Sequence, residues 1–219
     1  MSDAALLTQF AALDTAAVSD ALEGCGLPPG QGGLRPMWGR PTLAGFAATA
    51  ELEPLRGAHG GAHLLTEVVA RSGADDVLVV ANGGRTDVSS WGGILSMGAS
   101  VRSIRGVVVD GACRDVAQAR ELGFPVFARA QVPVTARGRL RQKSAGEPVR
   151  LGDVTVEQGD VVLADEGGVV VVPGARALEV LAAAQAISAR EAQIKAEVRA
   201  GVALPQAMRD ARLAGTEAQ

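Results

Sequence analysis

The stretch Arg105-Gly106-Val107-Val108-Val109-Asp110-Gly111-Ala112-Cys113-Arg114-Asp115 decides the fold. Its valines run on without alternating polar positions, the pattern of a strand buried on both faces, as in a parallel sheet covered by helices. The strand, read over Ile104 to Val109, enters a small-residue turn that ends in an adjacent cation and anion. A strand's end is a rigid mount for charge, and glycines let backbone N–H groups approach a small ligand closely. Upstream, Asn82-Gly83-Gly84 and Trp91-Gly92-Gly93-Ile94-Leu95 have the same character.

Working outward, Val77-Leu78-Val79-Val80 and Pro125-Val126-Phe127-Ala128 read as two more buried strands. Ile94 to Arg102 and Asp115 to Leu122 read as the helices between them. That alternation predicts parallel pairing with crossover helices. Ala44 to Leu52 is small and apolar, a further strand, and residues 62–71 read as a helix. Residues 3–12 read as a helix, and Asp14 as the cap of a second one that Gly24 stops. Residues 24–40, rich in Gly and Pro, read as an irregular loop. Past residue 152, Asp153 to Val156, Val161 to Ala164 and Val169 to Val172 read as strands joined by tight turns, with glycines at 159, 167 and 168. A long helix follows over about 176–200, with Gly201 as its C-cap and Pro205 beyond. The expected class is α/β: a mixed β core dressed with peripheral helices. We read residues 1–219 as one domain, with the N-terminal helices (about 3–23) and the C-terminal helix (about 176–200) as appendages.

Composition narrows the function. Of 219 residues, 47% are hydrophobic, enough for one large core. The net charge of −3 argues against a polyanion-binding surface. Tyrosine is absent, and with four Phe and two Trp there is little to stack bases on, so no nucleic-acid partner is expected. The first residues carry no positive charge ahead of their apolar positions, and no apolar run approaches the roughly 18–20 residues of a membrane span. Two cysteines, Cys25 and Cys113, are too few for a disulfide framework, so a cytoplasmic setting is expected.

Four constellations carry chemistry. Asp115 can cap its own helix in a box with Gln118. It can instead hold a hard divalent cation, since Mg²⁺ is often bound by one or two carboxylates plus water and substrate; Arg114 would then reach a carboxylate or enolate oxygen. Gly92-Gly93-Ile94-Leu95 opens a helix whose first N–H groups suit a carboxylate, or is only a turn. Glu191 falls on the apolar stripe formed by Leu181, Ala184, Ile187, Ile194 and Val198, where a carboxylate needs a partner: Lys195 at i+4, or a site on a neighbouring subunit. His59 and His63 have metal spacing, but Gly60 and Gly61 between them oppose a helix. Cys113 adjoins Arg114, which could lower its pKa; packing is the favoured role.

With these residues in place, the chain resembles the family of class II 4-hydroxy-4-methyl-2-oxoglutarate aldolases and the RraA proteins, regulators of ribonuclease activity. The matching features are Val18-Ser19-Asp20-Ala21-Leu22 with Gly26, Gly106 to Gly111 followed by Arg114-Asp115, Gly123 to Ala128, Gly159-Asp160, Ala164-Asp165 and Gly167 to Pro173, across roughly residues 12–205. The resemblance implies an RraA-like β/β/α fold of the swivelling-domain type and homotrimers or homohexamers with intersubunit sites. It implies Mg²⁺ or Mn²⁺ held by Asp115 largely through water. A pyruvate carboxylate would lie on the amides of Gly92, Gly93, Ile94 and Leu95, with Arg114 on the keto or enolate oxygen and Glu191 as the acid from an adjacent subunit. Family aldolases usually carry an acid where this chain has Gly93, and the RraA regulators generally lack the aspartate that this chain keeps at 115. The expected activity is therefore a metal-dependent lyase on a 2-oxo acid, as aldolase or oxaloacetate decarboxylase. The alternative is a non-catalytic regulatory protein. Glu23 or Glu191 could supply the acid missing at 93.

Overall fold

The computed structural model describes residues 2–56 and 63–209. Helices α1 (Asp3–Ala11) and α2 (Thr15–Gly24) lead into a short strand β1 (Arg35–Pro36) and the long β2 (Leu43–Pro54). Then come α3 (Thr66–Arg71), β3 (Asp76–Trp91), α4 (Gly93–Val101), β4 (Gly106–Cys113), α5 (Val116–Glu121) and β5 (Val126–Gln131). The second half holds β6 (Leu140–Ala145), β7 (Val149–Leu151), β8 (Val154–Val156), β9 (Val161–Asp165), β10 (Gly168–Val172), α6 (Ala177–Arg199) and α7 (Leu204–Ala207).

Eight strands form one mixed sheet in the order β1-β5-β4-β3-β2-β9-β10, with β6 also paired to β2. The pairs β2–β3, β3–β4 and β4–β5 are parallel, as the alternation of strands and helices predicts. β9 and β10 form an antiparallel hairpin that joins β2. Residues 31–36 tie the two edges together: Gln31 bridges Val169 of β10, and Arg35 pairs with Ala128 of β5. The sheet is thereby nearly closed, which leaves little exposed strand edge.

Period-two alternation divides the core. Val107 and Val109 of β4, with Leu78 and Val80 of β3, pack beneath the crossover helices with Val69, Ala99 and Ala119. Val108, Val77 and Val79 face the other way, into a cluster closed by the β7–β8 hairpin through Val149, Leu151, Val154 and Val156. A third cluster seats α1, α2 and the first half of α6 on β9 and β10 through Leu7, Phe10, Leu22, Leu163, Val170 and Val180. Asp14 caps α2 as expected, its Oδ1 accepting from Ala17 N at 2.8 Å.

Three expectations need correction. β3 does not stop at Asn82-Gly83-Gly84; it runs on to Trp91, shifting register against β4 between Ala81 and Arg85, between Arg85 and Ser89, and between Ser89 and Trp91. Within the predicted helix 62–71, only Thr66–Arg71 is helical among the described residues. β6, Leu-Arg-Gln-Lys-Ser-Ala, escaped the sequence reading because its composition is polar; its alternate residues face solvent. His59 lies outside the described residues.

Asp110 is a buried carboxylate in β4. Its Oδ1 accepts from Arg129 Nε of β5 at 2.5 Å, and its Oδ2 from Gly152 N, in the turn between β7 and β8, at 3.2 Å. One side chain thus pins the hairpin to the sheet. Replacing it by alanine strands a partly buried guanidinium and an amide. We expect Asp110→Ala to lower unfolding free energy by about 3 kcal/mol, the low end for a broken buried pair because Arg129 is partly exposed. Asp110→Asn should cost less, because it keeps an acceptor. Urea unfolding midpoints check both.

Candidate functional site

Parallel pairing places Trp91 of β3 beside Cys113 of β4, and Cys113 beside Gln131 of β5. The residues after these three therefore emerge together at one end of the sheet, beyond the carboxyl ends of parallel strands, where open and closed α/β sheets alike characteristically bind ligands. Main-chain bonds lock the alignment: Arg114 N donates to Trp91 O at 2.9 Å, and Val132 N to Cys113 O at 2.9 Å. Trp91 is fixed from both sides, stacked on Phe124 at 6.1 Å between ring centroids and donating from Nε1 to Ser96 Oγ at 2.8 Å. A groove of about 440 Å³ opens here, lined by Arg114, Asp115, Val116, Ala117, Gln131, Val132 and Pro133.

Asp115 does not cap its own helix. It precedes α5 in the left-handed conformation, φ 58° and ψ 34°, and its side chain makes no capping bond. Neighbouring residues on regular backbone diverge; this kink instead turns the carboxylate back beside Arg114, with Oδ2 3.2 Å from Arg114 Nε. The same oxygen accepts from Gly93 N, at the start of α4, at 3.1 Å. Oδ1 makes no hydrogen bond among the described residues. Both side chains remain about 40% exposed: 38% for Arg114 and 41% for Asp115. Aspartate visits the left-handed region more readily than most residues, but such positions remain uncommon outside glycine and concentrate at functional sites.

At the start of α4, Gly92 lies in close approach to the charged pair. A Cβ at Gly92 would lie 3.0 Å from Asp115 Oδ2 and 3.2 Å from Arg114 Nε. The N-cap of α4, Gly92, has no side chain to offer, so the N–H groups of Ile94 and Leu95 lie in its open first turn. The Gly93 amide is different. The expected role was to serve a bound carboxylate; in the structure it donates to Asp115 Oδ2, while the amides of Ile94 and Leu95 stay unengaged among the described residues.

Glu191 stands apart from this cluster within one chain. Its Oε2 accepts from Lys195 Nζ at 2.7 Å, which is the i,i+4 alternative, and the bond raises the Lys195 pKa. The buried part of α6 ends near Ala184 and Ile187, so Ile194 and Val198 project beyond the core. Cys113 is fully buried in the core, which agrees with the packing role, and burial pushes its thiol up to about 12. One polar residue beside the site, Gln131, is not among the sequence candidates, and Gln118, expected in a capping box, lies elsewhere. Gln131 lines the groove, and its position follows from the β4–β5 register alone; Gln118 overhangs Gly93.

Do these residues fit a divalent metal? Among the described residues no three His, Cys, Asp or Glu side chains gather, so a caged ion such as structural zinc does not fit. One exposed carboxylate with an oxygen to spare, at the mouth of an open groove, does fit a hard ion that keeps most of its water. Among the described residues no helix is long and apolar enough to cross a membrane.

Comparison with known proteins identifies the family. Residues 15–171 match the family described as RraA-like, Aldolase/RraA. The Legionella pneumophila protein DlpA is 31% identical over 205 residues; these are 94% of this chain but only 33% of that protein, so the chain spans about a third of its length. A Thermus thermophilus 4-hydroxy-4-methyl-2-oxoglutarate aldolase is 34% identical over 113 residues, 50% of this chain and 66% of that one. Among solved structures, Streptomyces coelicolor RraAS2, described as an unusual member of the RNase ES inhibitor RraA protein family, superposes with a TM-score of 0.79 at 26% identity, covering 89% of this chain and 97% of that chain.

Proposed function

This chain belongs to the RraA-like family, and from that premise we propose that it is a divalent-metal-dependent lyase that breaks a C–C bond of a 2-oxo acid through a pyruvate enolate. The observation that carries the reading is the left-handed Asp115, turned away from its own helix to stand beside Arg114 and the start of α4. A cap on its own helix would explain an aspartate at this position; it does not explain a left-handed one that makes no such bond.

In this reading the substrate carboxylate lies on the N–H groups of Ile94 and Leu95, favoured by the positive end of the α4 dipole. Asp115 holds the metal, Mg²⁺ or Mn²⁺, which when bound supplies Lewis-acid polarisation of the keto oxygen. The Arg114 guanidinium faces the oxygen that gains charge, and stabilises it most as the C–C bond breaks. With oxaloacetate, the bond to the departing carboxylate breaks, CO₂ leaves, its electron pair becomes the pyruvate enolate, and solvent returns a proton to carbon. No base is needed for that cleavage. Retro-aldol cleavage does need one, to take a hydroxyl proton, and residue 93 is glycine. We therefore assign oxaloacetate decarboxylation ahead of aldolase activity.

A homo-oligomer completes the reading. Ile94, Met97 and Val101 form a stripe on α4 that is 87%, 55% and 82% exposed, directly beside the site. A second copy of this chain is the proposed cover, and it would let Glu191 of a neighbouring subunit reach the groove. The regulatory alternative draws on the RNase-inhibitor description of the Streptomyces relative; it needs no turnover.

The test is pyruvate release from a panel of 2-oxo acids with Mg²⁺ or Mn²⁺. Oxaloacetate should be converted above the metal-only background. Arg114→Ala should lower kcat by about 10²–10³, the usual loss when a donor to a developing oxyanion is removed. Release no faster than metal alone, across the panel, would end the lyase reading.

A further inference from the structure

Gly93 and Gln118 share one volume. A Cβ at Gly93 would lie 1.5 Å from Gln118 Oε1 and 2.7 Å from Gln118 Cδ. The carboxamide therefore occupies the space where a side chain on residue 93 would begin. Gln118 sits three residues after Asp115 in the first turn of α5, where a capping box would send it back to the Asp115 N–H. That bond is not made, and the side chain makes no other hydrogen bond among the described residues. Its carboxamide lies over the first turn of α4 instead, with hydrogen-bonding capacity unspent.

Resting on the function proposed above, we infer that Gln118, its carboxamide set over Gly93 at the mouth of α4, positions the substrate and selects 2-oxo acids whose cleavage needs no proton abstraction. A carboxamide has two donors and an acceptor and carries no charge. It can donate to a carboxylate lying on the Ile94 and Leu95 amides, whereas an acid in the same volume would repel that anion. It cannot accept a hydroxyl proton as a general base. A glutamine set over a glycine thus offers anion binding and no basic capacity. The substrate class that suits it is a small 2-oxo diacid losing CO₂, not a tertiary alcohol cleaved by deprotonation.

The experiment uses oxalate, a planar dianion shaped like the pyruvate enolate, titrated calorimetrically into the full chain with Mg²⁺. Gln118→Met keeps length and removes the hydrogen bonds; Gln118→Glu keeps shape and adds charge. The methionine variant should bind oxalate about tenfold more weakly, as for one lost hydrogen bond to a charged group. The glutamate variant should bind more weakly still. KM for oxaloacetate should rise with the oxalate Kd while kcat changes less, and melting temperatures should stay put because the side chain is exposed. If the parent binds oxalate and both variants bind it equally well, the role of Gln118 is overturned and the lyase reading stands. If the parent does not bind oxalate, both fall.

Discussion

Asp115→Asn should remove metal-dependent turnover while leaving the fold intact. Asparagine tolerates the left-handed conformation about as well as aspartate, and its amide oxygen can still accept from Gly93 N. The backbone kink and the contact with α4 survive, so the melting temperature should shift by no more than about 2–4 °C, the equivalent of 1 kcal/mol in a chain of this size. What disappears is the negative charge. A neutral amide is a poor ligand for a hard divalent ion whose protein ligands are few, and pyruvate release should fall at least about a hundredfold, towards the metal-only rate. Asp115→Ala loses the charge and also places alanine in a left-handed conformation it disfavours by roughly 1–2 kcal/mol. Its melting temperature should therefore drop further. Comparing the two variants separates chemistry from strain. An asparagine variant with full metal-dependent activity would remove Asp115 from the mechanism.

The parallel half of the fold is legible in the sequence because its signals are local and redundant. Unbroken valine runs, glycines at their ends and capping residues such as Asp14 each point to the same element, and the structure agrees for β3, β4, β5 and the helices between them. β6 was hidden because pairing along β2 sets its place, not its own composition. The continuation of β3 past Asn82-Gly83-Gly84 was hidden for a related reason: glycines signal a turn, but here they absorb register shifts within one strand.

Arg114 and Asp115 stand out in the sequence as a charged pair after a buried strand. Their convergence with Gly92 and Gly93 does not, because it depends on the register between Trp91 and Cys113 and on one left-handed backbone angle. The same fold detail decides which amides are available. A helix start offers several N–H groups, and nothing in the spacing says that Gly93 gives its own to an aspartate 22 residues away. Gln118 illustrates the limit best: the sequence places it in a capping box, and the structure sends it across to another helix.

That crossing makes a gain of function testable. Gly93→Asp combined with Gln118→Ala should introduce retro-aldol cleavage. The overlap at residue 93 is with the far end of a flexible side chain, so trimming Gln118 frees the space. The backbone at 93 is not in a left-handed conformation, and an acid in the first turn of α4 is favoured by the helix dipole. The new carboxylate would emerge 3.2 Å, at its Cβ, from the Asp115 Cβ. Two carboxylates side by side raise one another's proton affinity, which suits a base. A positioned general base contributes about 10²–10⁴-fold, so cleavage of 4-hydroxy-4-methyl-2-oxoglutarate to pyruvate should rise by at least about a hundredfold over the parent. Oxaloacetate decarboxylation should show a KM raised at least about tenfold, from the lost Gln118 hydrogen bond and the added negative charge, while its kcat changes far less. Gly93→Asn with Gln118→Ala fills the same space without a base and should show no gain. Gly93→Asp alone should gain less than the double variant, because the glutamine still competes for the volume. A double variant that keeps the parent kcat for oxaloacetate yet gains no aldol cleavage would show that the missing base is not what confines the parent chemistry.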